Sequence, residues 1–238
     1  MEILMLKNAP VMAILFFTLT GCVSVEQTTS LPSDYYSITN VDQVTIVTTN
    51  EFPAVGMFYP GANCLLCLGT ASAANSKLSS QVKTFDYGSL ENISEKVAEA
   101  LSEQGLNAKP AIAPNSYKNL KKFPGFSSQS NFARLDFRPL KEELGADRLV
   151  WVTVINAGIT RSYASYIPIS EPVAFVSLNL KMIDLTTNEL IVNFPIYASV
   201  PADGAWNEAP AFPGLTTAFY QAISDAESKI GKALKIEL

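Results

Sequence analysis

Apolar and polar residues alternate over 176–182, which is the pattern of a strand with one buried face. Turn-forming residues at 184–188 separate this strand from a second alternating run at 190–196, so the two runs predict a hairpin. Pro195 indicates that the second strand lies at a sheet edge or contains a bulge, because proline has no N–H to donate to a neighbouring strand. Residues 149–155 are apolar at nearly every position and predict a central strand covered on both faces.

Apolar residues at helical spacing predict three helices. The first covers 89–104 and ends before Gly105, and the second is a short helix that begins at Pro139 and ends at Gly145. The third is a long terminal helix whose apolar face consists of Leu215, Ala218, Phe219, Ala222, Ile223, Ala226, Ile230, Ala233 and Leu234.

The remaining segments complete a single domain. Further strands are expected at 43–49 and 107–113, and residues 114–134 are expected to form an extended loop. The resulting order β-α-β-α-β-β-β-α predicts one α/β domain of α+β character over residues 39–238. We expect a mixed β-sheet of about five strands with the helices packed on it.

The first 22 residues have the order of a lipoprotein signal. A short start that contains Lys7 precedes a predominantly apolar run at 11–19, which is too short to cross a membrane but suits a signal peptide. The sequence Leu19-Thr20-Gly21-Cys22 follows and resembles the lipobox of bacterial lipoproteins. This resemblance implies that residues 1–21 are removed, that Cys22 is acylated, and that the lipid anchors the protein in a membrane.

The same resemblance implies a location. Val23 stands where many such lipoproteins carry the aspartate that retains them in the inner membrane, so the outer membrane, facing the periplasm, is favoured over the inner one. Residues 22–38 are expected to be the lipidated cysteine and a flexible tether, and the polar stretch 23–36 reaches at most about 45 Å.

Composition excludes several classes of function. The chain has no histidine, which removes histidine-based triads and nearly every zinc site. Its 22 acidic residues outnumber 17 basic ones, and its net charge of −5 argues against nucleic-acid binding. No phosphate-binding glycine loop and no nucleophile elbow is present. We therefore expect no catalytic set, no cofactor and no metal.

Cys64 and Cys67 are the only cysteines besides Cys22, and their spacing leaves three interpretations open. In an exported protein they form a structural disulfide, act as a redox dithiol, or provide half of a metal site. The nearest charged residues, Glu51 and Lys77, are too distant in the sequence to favour a thiolate. The disulfide is favoured, because the chain also lacks further ligands for a metal.

Residues 52–76 contain no charged residue. Pro53, Pro60 and Gly61 interrupt this stretch, which argues against a transmembrane helix. The favoured interpretation is a buried strand followed by a loop of small residues. The alternative is an apolar loop that docks on a partner or enters the lipid surface.

Two predicted linkers are rich in the residue types that anchor protein interfaces. Residues 161–168 include Tyr163 and Tyr166, and residues 201–213 include Trp206 and Phe212. These four side chains are candidate partner-binding residues; the alternative is that they fold back over the core.

A second resemblance concerns the junction Leu144-Gly145-Ala146-Asp147-Arg148-Leu149-Val150-Trp151-Val152. It is similar to the helix-to-strand junction of several envelope lipoprotein families, which are the lipoprotein activators of penicillin-binding proteins, the curli-secretion lipoprotein and the amino-terminal domain of the TolB type. The order of elements over 40–235 is also similar. The resemblance implies a role in an envelope machine.

Together these observations favour a non-enzymatic lipoprotein that binds another envelope protein as a scaffold, assembly factor or regulator. A homo-oligomer is compatible with this hypothesis. Two alternatives stay open: a periplasmic thiol–disulfide protein that uses Cys64 and Cys67, and a subunit of an oligomeric secretion channel.

The lipobox resemblance makes a direct prediction. The substitution Cys22→Ser removes the thiol that would be acylated, so we expect the loss of metabolic lipid labelling and the accumulation of unprocessed precursor. Labelling with a fatty-acid analogue and gel mobility measure both effects. Unchanged labelling and mobility would show that Cys22 is not the acylated residue.

Overall fold

The computed structural model describes residues 25–38, 43–49 and 51–238. Cys22, the expected signal segment 1–21 and the start of the expected tether lie outside these described residues. The strands are β1 Gln43–Thr48, β2 Gly56–Phe58, β3 Asn107–Ile112, β4 Arg148–Thr160, β5 Tyr163–Ala164, β6 Ile167–Pro168, β7 Val173–Asp184 and β8 Leu190–Pro201. The α-helices are α1 Tyr35–Ile38, α2 Leu65–Ala74, α3 Ser76–Val82, α4 Ile93–Glu103, α5 Leu140–Leu144 and α6 Pro213–Leu234. Two short 3₁₀ helices cover Gly88–Asn92 and Asn115–Asn119.

The main sheet has six strands and is mixed, which confirms the predicted α/β fold class. Its order is β3-β1-β4-β7-β8, and β2 pairs with the far end of β4. The pairs β1–β3, β1–β4 and β2–β4 are parallel, whereas β7 is antiparallel to both β4 and β8. The sixth strand, β2, lies within 52–76, where a buried strand was the favoured interpretation, but its residues are not buried. The short strands β5 and β6 form a separate hairpin.

The long strand β4 is buried on both faces over its first half, as its continuous apolar sequence predicts. Val150 and Val152 belong to the larger core, which lies between the sheet and helices α4 and α6. Leu149 and Trp151 point to the other face, where they join a smaller apolar cluster with Leu140 of α5. A register shift between Val154 and Asn156 then bends the strand before its last residues.

Helix α6 confirms the predicted apolar face. Eight of the nine apolar residues that define this face are buried, and Ala233 is half-buried. Glu227 also lies on this face, where it is buried and paired with Lys96 of α4 at 3.1 Å. The ion pair explains how a carboxylate is tolerated there, since an unpaired buried charge is costly.

The prediction of a flexible tether over 22–38 is wrong for the described residues of this segment, because residues 26–36 pack on the domain. Thr29 exchanges backbone hydrogen bonds with Asn193 of β8, at 3.0 and 3.1 Å. Glu26 forms an ion pair with Lys181, and Leu31 and Tyr35 are buried. A segment of polar composition is held here by an isolated β-bridge, an ion pair and two buried side chains rather than by an apolar pattern.

The uncharged segment 52–76 also differs from its favoured interpretation. It contains the short strand β2, whose residues are at most half-buried, and the chain then forms α2 instead of a loop. Six of the ten residues of α2 are Leu or Ala, which have high helix propensity and favour a helix over a loop here.

We expect Ile223→Asp to lower the free energy of unfolding by about 3 kcal/mol or more, because it places an unpaired charge in the α6 interface. Ser224→Asp, at the next and exposed position, is the matched control and should leave stability nearly unchanged. Thermal unfolding followed by circular dichroism measures both variants. Equal melting temperatures for the two variants would contradict the packing described here.

Candidate functional site

The parallel pairing of β2 with β4 brings two distant parts of the chain to one end of the sheet. Both strands end there, so the chain leaves β2 and β4 side by side. The backbone N–H of Arg161 donates to the carbonyl of Phe58 at 3.0 Å, and that of Tyr163 donates to the carbonyl of Pro60 at 2.8 Å. A Cβ atom on Gly61 would lie 1.8 Å from the Tyr163 carbonyl oxygen, so only glycine allows this close approach.

Asn75 fixes the end of α2 to the β5–β6 hairpin. Its side chain is 1% exposed, and its Nδ2 donates to the Tyr163 hydroxyl at 2.6 Å and to the Ala71 carbonyl at 2.7 Å. Its Oδ1 accepts a hydrogen bond from Nη1 of Arg161 at 2.9 Å. Buried polar networks of this kind fix one arrangement, because every alternative leaves a buried group unpaired.

The resulting surface, residues 59–75 with residues 161–170, is named the apolar tip. Its outward side chains are Leu65, Leu66 and Leu68 of α2, and Tyr166, Ile167 and Ile169 of the hairpin region. Leu65 is 92% exposed, Leu66 78% and Tyr166 62%. Arg161 is the only charged residue in the apolar tip. Its guanidinium also donates from Nε to the Ser170 carbonyl at 3.1 Å, so it faces the network rather than the outward surface.

Helix α2 exposes its leucines because few of its side chains contact the domain. Cys67 and Ala71 are its buried residues. At its amino-terminal end Cys64 and Cys67 are joined in a disulfide, with their Cα atoms 5.0 Å apart. The Sγ atom of Cys64 also accepts a hydrogen bond from the backbone N–H of Cys67 at 2.9 Å. The first helical turn is therefore held covalently, and its leucines point away from the protein.

Aromatic side chains pack beneath the outward residues of the apolar tip. The rings of Tyr59 and Tyr163 pack edge to face, with centroids 5.9 Å apart. Burial, followed by the neighbouring Tyr163, raises the pKa of Tyr59. Trp206 is half-buried, and the Arg161 guanidinium lies over its ring at 5.1 Å.

The four candidate partner-binding residues divide into two kinds. Tyr166 is exposed, whereas Trp206 is half-buried and packs against the main core. The Arg161–Trp206 contact brings Trp206 next to the apolar tip. Tyr163 and Phe212 are both buried, so their assignment as direct partner contacts is wrong. Tyr163 is held inside by Asn75, and Phe212 belongs to the main core at the start of α6.

Sequence reasoning missed several residues of this surface. Docking of the segment that contains Leu65 and Leu66 was only the alternative interpretation. Ile167 and Ile169 were not singled out as exposed, and no role was assigned to Asn75. The signal was the absence of charge, which extends over 52–76 and again over 162–170. Two uncharged stretches that flank neighbouring strand ends are a pattern that would have indicated a shared surface.

Metal-binding clusters and membrane-spanning helices are two further kinds of feature that would indicate a function. Within 25–38, 43–49 and 51–238, no group of three or more Asp, Glu or Cys side chains is arranged to hold a metal ion. No helix in this part of the chain is both long enough and apolar enough to span a membrane.

Comparisons with family models and with curated proteins find no match for this chain. Among solved structures, a Xanthomonas campestris protein of the DUF330 family is 12% identical, with 87% of this chain and 90% of that chain covered and a TM-score of 0.40. Lipoprotein GNA1162 from Neisseria meningitidis is 12% identical, with 76% and 99% covered and a TM-score of 0.27. A PelC dodecamer from Paraburkholderia phytofirmans is 11% identical, with 80% and 86% covered and a TM-score of 0.30. Likenesses at these scores carry no argument about activity or partners.

The disulfide leads to a prediction about stability. Replacing both Cys64 and Cys67 by Ser should lower the free energy of unfolding by at most about 2 kcal/mol, because the closed loop is very short. Chemical unfolding of the oxidised protein and of the double variant measures the difference. Mass spectrometry after alkylation without reductant tests the bond itself, and alkylation of both cysteines in protein from the periplasm would contradict it.

Proposed function

We propose that the protein is a lipid-anchored, non-catalytic binding module of the bacterial cell envelope, and that its apolar tip docks on another envelope protein. The observation that carries this proposal is the group of exposed apolar side chains at 65–68 and 166–169. Soluble proteins expose single apolar residues routinely, whereas several exposed apolar residues in segments that share one end of a sheet are typical of an interaction site.

The apolar tip is suited to binding because it is already ordered. The disulfide holds the first turn of α2, and the hydrogen bonds of Asn75 hold its end against the hairpin. Ordering flexible groups on association costs free energy, so a surface that is fixed beforehand binds more tightly for the same contacts.

The composition of the apolar tip favours a protein partner. Tyr and Trp are among the residue types that dominate the binding energy of protein interfaces, and Tyr166 and Trp206 both lie at this end of the sheet. Charged residues are depleted at the centre of interfaces, which fits the uncharged leucines of α2. We therefore expect the leucines at the centre of the contact and Trp206 towards its rim.

The lipobox resemblance and the packed segment 26–36 together limit where the partner lies. Cys22 is four residues before Glu26, so the Cα atom of an acylated Cys22 lies within about 14 Å of the Cα atom of Glu26. Because Glu26 is paired with Lys181, the domain is held close to the membrane instead of at the end of a long tether. Lys181 lies opposite Trp151 in the first half of β4, whereas the apolar tip follows the last residues of β4. We therefore propose that the apolar tip faces away from the anchored end of the domain, towards a partner on the periplasmic side of the outer membrane.

Site-specific photo-crosslinking in living cells tests this function. A photoreactive amino acid at Leu66 and, separately, at Tyr166 should capture the same envelope protein. The control position Glu99, exposed on α4, should not capture it. The double variant Leu65→Ser/Leu66→Ser should reduce capture from Tyr166 by about tenfold, because these leucines form the centre of the contact.

Two outcomes would contradict the proposal. Adducts only to lipids would show that the apolar tip enters the membrane surface, and the same adducts at Glu99 as at Leu66 would show nonspecific proximity. Circular dichroism of the double serine variant controls for folding, since both leucines are exposed and should not affect stability.

A further inference from the structure

A second surface lies between β8 and the carboxyl-terminal half of α6, and it shares no residue with the apolar tip. It is a groove of about 590 Å³, a size within the range of ligand-binding sites. Its lining residues are Ser30, Leu31, Val192, Phe194, Pro195, Ile196, Tyr197, Lys229, Lys232, Ala233 and Lys235.

The floor of this groove is apolar. Val192, Phe194 and Ile196 of β8 face α6, and Leu31 closes the groove where the amino-terminal segment crosses the sheet edge. Phe194 is only half-buried although it is a large apolar residue on the face that packs on α6. The groove therefore leaves apolar surface that an acyl chain would cover.

The charged side chains of the groove are all basic. Lys229, Lys232 and Lys235 line it, and no acidic residue does, although the whole chain carries a net charge of −5. Lys229 donates to the carbonyl oxygen of Tyr197 at 2.5 Å. Lys232 and Lys235 are exposed, and neither is in a salt bridge within the described residues. Lysines near the carboxyl end of a helix stabilise it by interacting with the negative end of the helix dipole. This effect does not explain why these lysines border an apolar groove.

The edge of β8 argues against an extended peptide as the occupant. A strand that joins a sheet edge needs a continuous row of free backbone groups. Here Pro195 has no N–H, the Tyr197 carbonyl is taken by Lys229, and Thr29 already pairs with Asn193. The groove therefore lacks the row of free backbone N–H and C=O groups that would bind an extended peptide. It still has an apolar floor and a positively charged rim.

We propose that this groove binds an anionic amphiphile, with a phosphate headgroup on the three lysines and one acyl chain along Phe194 and Ile196. Its source is a lipid of the membrane that holds the anchor, because the amino-terminal segment that lines the groove leads to Cys22. This choice of source rests on the proposed function, whereas the recognition of an anionic amphiphile does not.

The test uses the full chain in a non-ionic detergent and a dodecyl phosphate probe with a photoreactive group in its chain. After irradiation, peptide mass spectrometry should find saturable labelling at 194–197 and 230–233. The variant Lys229→Gln/Lys232→Gln/Lys235→Gln should reduce labelling by about tenfold, because it removes the charges that hold the headgroup. Lys118→Gln/Lys121→Gln/Lys122→Gln removes the same charge from three exposed positions outside the groove and should label normally.

Further arms separate the headgroup from the chain. A probe with the same chain and a neutral sugar headgroup should label weakly, and Ala233→Leu, which narrows the groove and keeps the lysines, should also reduce labelling. Equal labelling by the neutral probe would overturn the proposal. So would labelling of the groove variant Lys229→Gln/Lys232→Gln/Lys235→Gln that is as strong as labelling of the control variant with the three substitutions at 118–122. Complete competition by inorganic phosphate together with normal labelling of Ala233→Leu would show an anion site without a chain site and would also overturn it.

The source is tested with vesicles. The full chain reconstituted in phosphatidylglycerol vesicles should show a change in hydrogen exchange at 194–197 relative to phosphatidylcholine vesicles. No difference, with probe labelling intact, would assign the groove to a free amphiphile and overturn the membrane source. Loss of crosslinking at Leu66 would affect the proposed protein partner and leave these readouts unchanged, so the two failures are distinguishable.

Discussion

The architecture depends on the length and double burial of β4. Its first residues are covered on both faces and pair with β1, while its last residues extend beyond β1 and pair with β2. Because β2 and β4 run parallel and end together, the chain segments that follow them must share one end of the sheet. The register shift after Val154 lies between these two pairings. The apolar tip is therefore a consequence of one strand being longer than its parallel neighbour.

The apolar tip shows how a polar network can keep apolar residues exposed. An uncharged helix such as α2 gains free energy by burying its leucines, which would favour collapse onto the sheet. The hydrogen bonds of Asn75 to Tyr163 and Arg161 oppose such movement, because sliding α2 would leave buried donors and an acceptor unpaired. The disulfide acts at the other end of the helix. The protein thus holds an unfavourable surface in place, as expected for a surface that a partner covers.

Regular patterns made part of this fold predictable. The hairpin of β7 and β8, the edge position of Pro195 and the buried face of α6 follow from local periodicity, since each depends on residues close in sequence. The exposure of α2 does not, because it is decided by Asn75 and Tyr163, which are 88 positions apart. The packing of Thr29 on Asn193 is equally non-local. Composition alone also could not separate the buried Phe212 from the exposed Tyr166, since both stand in predicted linkers that contain aromatic residues and proline.

Hydrogen–deuterium exchange of the α2 backbone amides tests the central claim most directly. The measurement compares the full chain purified in detergent with the same chain in native envelope membranes, and α4 serves as the internal reference. Exposed elements with few contacts open readily, so α2 should exchange faster than α4 in the purified protein. The account predicts that exchange at 65–74 slows by about tenfold in native membranes, as expected when a partner covers a surface. Equal exchange of α2 in both preparations would contradict it.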